Sequence, residues 1–179
     1  LKNCNEIFKV CKNSIPEREV NNLSNGLYDL IESSLNDCLE KWPTHLPKGI
    51  IHGDLFPDNV FFVNNRVSGV IDFYFSCIDI KIYEIAIVIN AWCFDKDNTL
   101  NIKKVKNLIK GFTLNNKLTK DELQNLHILS KGASLRFLIT RLFDWFHTPH
   151  DSYVQRKDPH EYIDKLLYFN SNGLNFLYD

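Results

Sequence analysis

The sequence of 179 residues has no methionine, even at its first position, which sets the expectation that it begins inside a longer reading frame. It also has no CxxC pair. Cys4, Cys11, Cys38, Cys77 and Cys93 are scattered, odd in number and not matched with histidines at zinc-finger spacing. Such a set argues against a disulfide framework or structural zinc, and reads as reduced thiols of a cytosolic protein that pack as small hydrophobes. No apolar run approaches the roughly 20 residues needed to span a bilayer. The opening LKNCNEIFK lacks the apolar stretch and cleavage site of a secretory signal, so a cytoplasmic setting away from the membrane is expected. An excess of one charge is missing too: 21 Lys and Arg against 22 Asp and Glu leave a net charge of −1, with no basic face for nucleic acid. The seven glycines (Gly26, Gly49, Gly53, Gly69, Gly111, Gly132, Gly173) stand apart from one another, so the sequence contains no glycine-rich phosphate loop.

What is present suits one packed domain over residues 1–179, with 44% hydrophobic residues. Residues 1–22 are polar and weakly patterned, with room for a short helix. Leu27, Leu30, Ile31, Leu35, Cys38, Leu39 and Trp42 mark one helix face, with Ser24 or Asn25 as cap and Pro43 as stop. Ile50–His52, Val60–Val63 and Arg66–Asp72 read as strands, the last two joined in a hairpin at Asn64-Asn65, since asparagine tolerates left-handed backbone. Ile80–Phe94 is apolar nearly all round, as a buried helix should be. Ile102–Phe112 alternates lysines with aliphatics and is expected at the surface. Thr119 and Glu122 form a capping box for a long helical region to about Phe146, with a break expected near Gly132. Asp158-Pro-His-Glu161 repeats that device for a last helix ending near Gly173. The expected class is α+β, mostly helical, with a small β-hairpin insert.

The chemistry gathers in IIHGDLFPDN, residues 50–59. Asn59 lies five residues beyond Asp54, and Asp72 thirteen beyond Asn59. Two short strands and a turn fill that interval, so Asp72 returns to where the hairpin began. Three oxygen-bearing side chains then converge, a set suited to Mg²⁺, which takes one or two carboxylates and leaves positions for phosphate. Phosphoryl transfer asks for this layout: a carboxylate to orient and deprotonate a hydroxyl, and a metal to neutralise phosphate oxygens. HxDxxxxN followed by Asp has the spacing of the protein-kinase catalytic loop, with HGD for HRD and DFY for DFG. His52 reads as a brace for the loop, Asp58 as a turn residue beside Pro57, and Asp79 as a helix cap or a supporting acid alongside Glu84.

The stretches WPTHLPKGIIHGDLFPDNVFF, VSGVIDFYFSCID, INAWCFD, SLRFLITRLFDWF and KDPHEYIDKLLYF, over roughly residues 42–169, resemble homoserine kinases built on the aminoglycoside-phosphotransferase (protein-kinase-like) fold. The resemblance covers the C-terminal lobe of that fold, with the hairpin insert carrying the catalytic loop. It implies phosphorylation of the L-homoserine hydroxyl by ATP, a step towards threonine. Asp54 then matches the catalytic base, and Asn59 and Asp72 the Mg²⁺ ligands. Glu84-Ile85-Ala86 stands where the wider fold has Asp-Leu-Ala.

An amino-acid substrate needs partners for its carboxylate and ammonium. Arg141 and Asp144 are the candidates, with Trp92 as a wall, although Arg141 and Asp144 share a helix face and are also spaced to pair with each other. A kinase of this fold also needs a nucleotide-binding N-terminal lobe with a phosphate-covering loop and a strand lysine. Neither is in the sequence, so that lobe is expected upstream or on a separate chain. The competing readings are a lobe without catalysis, a related kinase for another hydroxyl acceptor, and a metal-dependent phosphohydrolase using His52, Asp54, Asp58 and Asp72. The last ranks lowest, because His45, His127 and His160 stand singly.

Overall fold

The protein is described by a computed structural model covering residues 2–149, 152–153 and 155–177. Its architecture is mostly helical α+β, with two small antiparallel sheets of two strands each. The chain forms two compact units. One gathers the residues up to Trp42 with Lys131–Asn172, and the other Pro43–Ser130 with the residues from Gly173 on. No helix among the described residues is long and apolar enough to cross a membrane.

The first unit opens with α1 (Lys2–Ser14), which is longer than the expected short helix. Cys4, Phe8 and Cys11 along it, with Ile15 just past its end, recur at helical spacing and are all buried, so two of the cysteines pack as the small hydrophobes expected. Burial raises the Cys11 thiol to about 11, which suits a packing role. A short α2 (Glu17–Asn21) leads to α3 (Leu27–Lys41). The cap of α3 is Gly26 in the left-handed region (φ 69°), in place of Ser24 or Asn25. Asn21 Oδ1 accepts from the Gly26 N–H at 3.1 Å and holds the turn.

α6 (Lys120–His147) begins in the second unit and continues into the first. Its capping box forms reciprocally: the Glu122 N–H donates to Thr119 Oγ1 at 3.1 Å and the Thr119 N–H to Glu122 Oε2 at 3.0 Å. Gly132 does not break this helix. A Cβ there would sit 2.4 Å from Trp42 Cζ3, so the glycine makes room for an indole packed against the helix. α7 (His160–Ser171) completes the unit, with Tyr162, Ile163, Leu166 and Phe169 buried. Asp158 caps it by accepting from the His160 N–H at 2.9 Å.

In the second unit, β1 (Lys48–Ile51) pairs with β4 (Cys77–Ile80), a strand the sequence reading missed. Asp79 therefore lies in a strand opposite Gly49, not at the cap of the following helix. β2 (Val60–Val63) and β3 (Arg66–Val70) form the second pair. Their turn places Asn64 at φ 50° and Asn65 at φ 60°, the two positive values a tight hairpin requires. α4 (Lys81–Trp92) has Ile82, Ile85, Ala86, Ile87 and Ile89 buried. α5 (Ile102–Thr113) carries its lysines outward and is capped by Asn101, whose side chain accepts from the Lys104 N–H at 3.0 Å.

Candidate active site

β1 delivers His52 to a turn at Gly53, where the backbone goes left-handed (φ 77°). A Cβ at Gly53 would lie 2.7 Å from the Phe75 carbonyl oxygen, so two backbones approach here as only glycine permits. Phe56 leads into a single 3-10 turn at Pro57–Asn59, which takes the chain into β2. Asp58 is exposed in that turn, and Asn59 is buried.

Asn59 folds back on the loop. Its Nδ2 donates to the Asp54 carbonyl at 2.8 Å and to Asp54 Oδ2 at 3.4 Å. Its carbonyl accepts from the Ile71 N–H at 3.0 Å, which ties the end of the hairpin to its beginning. Asp72 follows directly, in the left-handed region with φ 60° and ψ 60°. An aspartate tolerates that conformation at a cost of about 1–2 kcal/mol, and here it turns the chain into the 3-10 turn Phe73–Phe75.

His52 joins the two segments. The Asp54 N–H donates to Nδ1 at 3.2 Å, and Nε2 lies 2.8 Å from the Ile71 carbonyl. A backbone N–H can only donate and a carbonyl only accept, so the ring is neutral with its proton on Nε2. The Phe73 ring packs beside it, centroids 4.9 Å apart. Behind the turn, Glu84 of α4 accepts through Oε2 from the His52 N–H and from the Gly53 N–H, the latter at 3.2 Å. Trp92 contributes differently from the expected wall: its Nε1–H donates to the Leu55 carbonyl at 2.9 Å, which pins the loop one residue beyond Asp54.

The donor set suits a hard cation. With Nδ2 of Asn59 committed to Asp54, the amide oxygen remains as an acceptor, and the Asp72 carboxylate has no hydrogen-bond or ion-pair partner among the described residues. No three His, Cys, Asp or Glu side chains converge to hold a metal among the described residues. A cation here would rest on the Asn59 amide and one or two carboxylates, with other oxygens completing its shell, which is the Mg²⁺ pattern.

The other sequence candidates lie in the first unit. Arg141 does not pair with Asp144. Its guanidinium donates to Glu161 Oε2 at 2.6 Å and to the Asp158 carbonyl at 3.1 Å, and it lies 4.4 Å from the Tyr162 ring centroid. Lys165, fully buried, reaches the other oxygen of Glu161. Burial opposes charge on Glu161, but the Lys165 and Arg141 cations outweigh it and hold the carboxyl below its usual range. The Asp144 carboxylate is exposed, and partial withdrawal from water holds it above the usual range.

Residues 16–110, which contain the whole Asp54 loop and its hairpin, match the phosphotransferase enzyme family. The chain belongs to that family. It is 52% identical over 148 residues to a homoserine kinase of Bartonella tribocorum, covering 82% of this chain and 46% of the relative. It is 46% identical over 152 residues to one of Rhizobium meliloti, covering 85% and 47%. It is 45% identical over 162 residues to one of Granulibacter bethesdensis, covering 90% and 49%. The chain thus spans about half the length of the curated relatives it matches.

Proposed function

We propose that this phosphotransferase chain is the catalytic, C-terminal lobe of a protein-kinase-like homoserine kinase, transferring the γ-phosphoryl group of ATP to the hydroxyl of L-homoserine. The observation that carries the reading is the tie between the Asp54 loop and Asp72, made by the Ile71 N–H on the Asn59 carbonyl and by His52 on the Ile71 carbonyl. Similarity to homoserine kinases at 45–52% identity supports the acceptor.

In this reading Asp54 accepts the proton of the homoserine hydroxyl as its oxygen attacks phosphorus, and ADP leaves. Asn59 holds the Asp54 carboxylate in place through Nδ2. Mg²⁺ bound by Asn59 Oδ1 and Asp72 would neutralise phosphate charge. The Asp144 carboxylate carries no ion pair or hydrogen bond among the described residues. Arg141 is reserved by Glu161 and Trp92 by Leu55, so a substrate contact of either would be an additional one.

The sequence holds no glycine-rich loop, and we propose that the site works with a nucleotide-binding lobe. Large apolar side chains crowd one region in support of such a partner. Ile50 and Ile78, opposite each other in β1 and β4, are 85% and 76% exposed, and Phe73, Tyr74 and Phe75 are exposed nearby in sequence. The test is homoserine-dependent ADP release. The 179-residue chain alone is expected to be inactive or nearly so. Activity should appear when the N-terminal half of the Bartonella tribocorum enzyme is supplied. Robust release from the chain alone would remove the need for a partner lobe. Turnover with another alcohol in place of homoserine would reassign the acceptor, and failure with every acceptor would leave a lobe without catalysis.

A further inference from the structure

We propose that Trp92, in the last turn of α4, is a positioning residue for the Asp54 carboxylate, and that it acts through its indole N–H and not through its ring. Nε1–H donates to the Leu55 carbonyl at 2.9 Å. The next N–H along the chain, that of Phe56, donates back to the Asp54 carbonyl at 2.8 Å. That bond closes a three-residue γ-turn around Leu55. The Leu55 carbonyl and the Phe56 N–H are the two ends of one planar peptide unit. Trp92 and the turn therefore hold that unit at both ends, and it cannot rotate without giving up both bonds.

Asp54 depends on this peptide. Its carbonyl accepts from the Phe56 N–H and from Asn59 Nδ2, both at 2.8 Å, and the direction of that carbonyl fixes the ψ angle of Asp54. With no donor on the Leu55 carbonyl, the Leu55–Phe56 unit can swing, the turn opens, and the Asp54 carbonyl keeps Asn59 alone. The Trp92 ring makes a separate contact: it lies edge-on to Phe62 of β2, centroids 6.1 Å apart and planes at 66°. A phenylalanine could make that ring contact, but it has no donor. A buried indole commonly finds an acceptor wherever it packs. Here the acceptor is the far end of the peptide that closes the turn beside Asp54, which gives the bond a consequence beyond packing. Only the catalytic part of that consequence rests on the function proposed above.

Two replacements in the full 179-residue chain separate donor from ring. The benzothienyl analogue of tryptophan at position 92 keeps the fused ring and puts sulfur where the N–H was. Trp92→Phe removes the donor and part of the ring together. The first readouts need no activity: hydrogen exchange at the Phe56 amide and the ¹³C resonance of the Leu55 carbonyl. Both replacements should shift the Leu55 signal and speed Phe56 exchange by about threefold to tenfold. Should Trp92→Phe fail to fold, the sulfur analogue still decides. A sulfur analogue that changes neither readout overturns the proposal, because the ring alone would then account for Trp92. With the nucleotide-binding half supplied, the sulfur analogue should lower kcat by about tenfold to a hundredfold and leave KM for ATP and for homoserine in place. A raised KM for homoserine at unchanged kcat would also overturn it, by making Trp92 a substrate contact. An inactive unmodified enzyme would count against the proposed function, while the exchange and carbonyl results would still judge Trp92.

Discussion

The Asp54 loop and the α6–α7 charge cluster both hold carboxylates near basic or donor groups, and they dispose of them in opposite ways. In the cluster each charge meets its complement: Glu161 takes Arg141 on one oxygen and Lys165 on the other. In the loop the polar contacts are spent on backbone. His52, Asn59, Glu84 and Trp92 all bond main-chain groups, and the Asp72 carboxylate is left over. Two backbone positions there, Gly53 and Asp72, sit in the left-handed region. Saturated charges hold helices together, whereas a strained loop held by its backbone presents oxygens that something else must complete.

The comparison breaks first at Asp54. In the completed enzyme, Asp54→Asn should lower kcat by about 10²–10⁴, the usual worth of a general base, with MgATP binding largely kept. Near-normal turnover would dismiss Asp54 as the base. The two glycines sharpen the contrast next. Gly53→Ala meets both an unfavourable φ and the Phe75 carbonyl at 2.7 Å, so it should displace the loop and cost most of the activity. Gly132→Ala drives a methyl group into Trp42 inside the helical unit, where overpacking costs about 1–3 kcal/mol. Urea unfolding should register that loss, while kcat in the completed enzyme should be little altered.

How far each region could be read from sequence follows the same division. The loop was legible because its contacts are local: Asn59 and Asp72 flank one hairpin, Asp54 lies five residues before Asn59, and strand geometry returns the end of the hairpin to its beginning. The hairpin turn was legible because Asn64-Asn65 has few other uses. The cluster was not. The partner of Arg141 is twenty residues away on another helix, and i,i+3 spacing pointed instead to Asp144. β4 was hidden because CIDI runs directly into an apolar helix, and a short apolar run does not declare its period. The α1 stripe was diluted by the polar residues between its buried positions, and Glu84, named as a supporting acid, has backbone N–H targets that no side-chain pattern reveals.

Within the helical unit, Arg141→Met should reduce stability by about 1.5–3 kcal/mol, the range for hydrogen bonds to charged groups, and leave KM for homoserine in place. A tenfold rise in KM with unchanged stability would instead make Arg141 a substrate contact. A gentler probe is pH. Hydrogen bonds from Lys131 and Lys41 hold the Asp37 carboxyl below its usual range. A carboxylate depressed in the folded state contributes stability above its unfolded pKa, near 4, and loses it as pH falls through the folded value. Stability should therefore decline with acid below about pH 4. In Lys131→Met that acid-dependent loss should shrink, because Asp37 then titrates closer to its ordinary value. An identical pH dependence in the two proteins would remove Asp37 from the account.

The mildest test uses the thiols and perturbs neither region. Cys11 and Cys38 are buried in the helical unit, and Cys93 is buried after α4, while Cys77 at the start of β4 is exposed. Burial raises Cys11 and Cys93 to about 11 and Cys38 to about 12, so almost none of them is thiolate at neutral pH. An alkylating reagent at pH 7.5 should label Cys77 first and the buried thiols only as fast as the fold opens. Peptide mass mapping against time reads the order directly. Cys77 lies opposite Ile51 in β1, three residues before Asp54. Cys77 and Ile51 share the face opposite that of Ile50 and Ile78, so a nucleotide-binding lobe seated on the exposed Ile50 and Ile78 side chains should leave Cys77 labelling unchanged. Slowed Cys77 labelling in an active complex would instead put that partner on the Cys77 side of the β1–β4 pair.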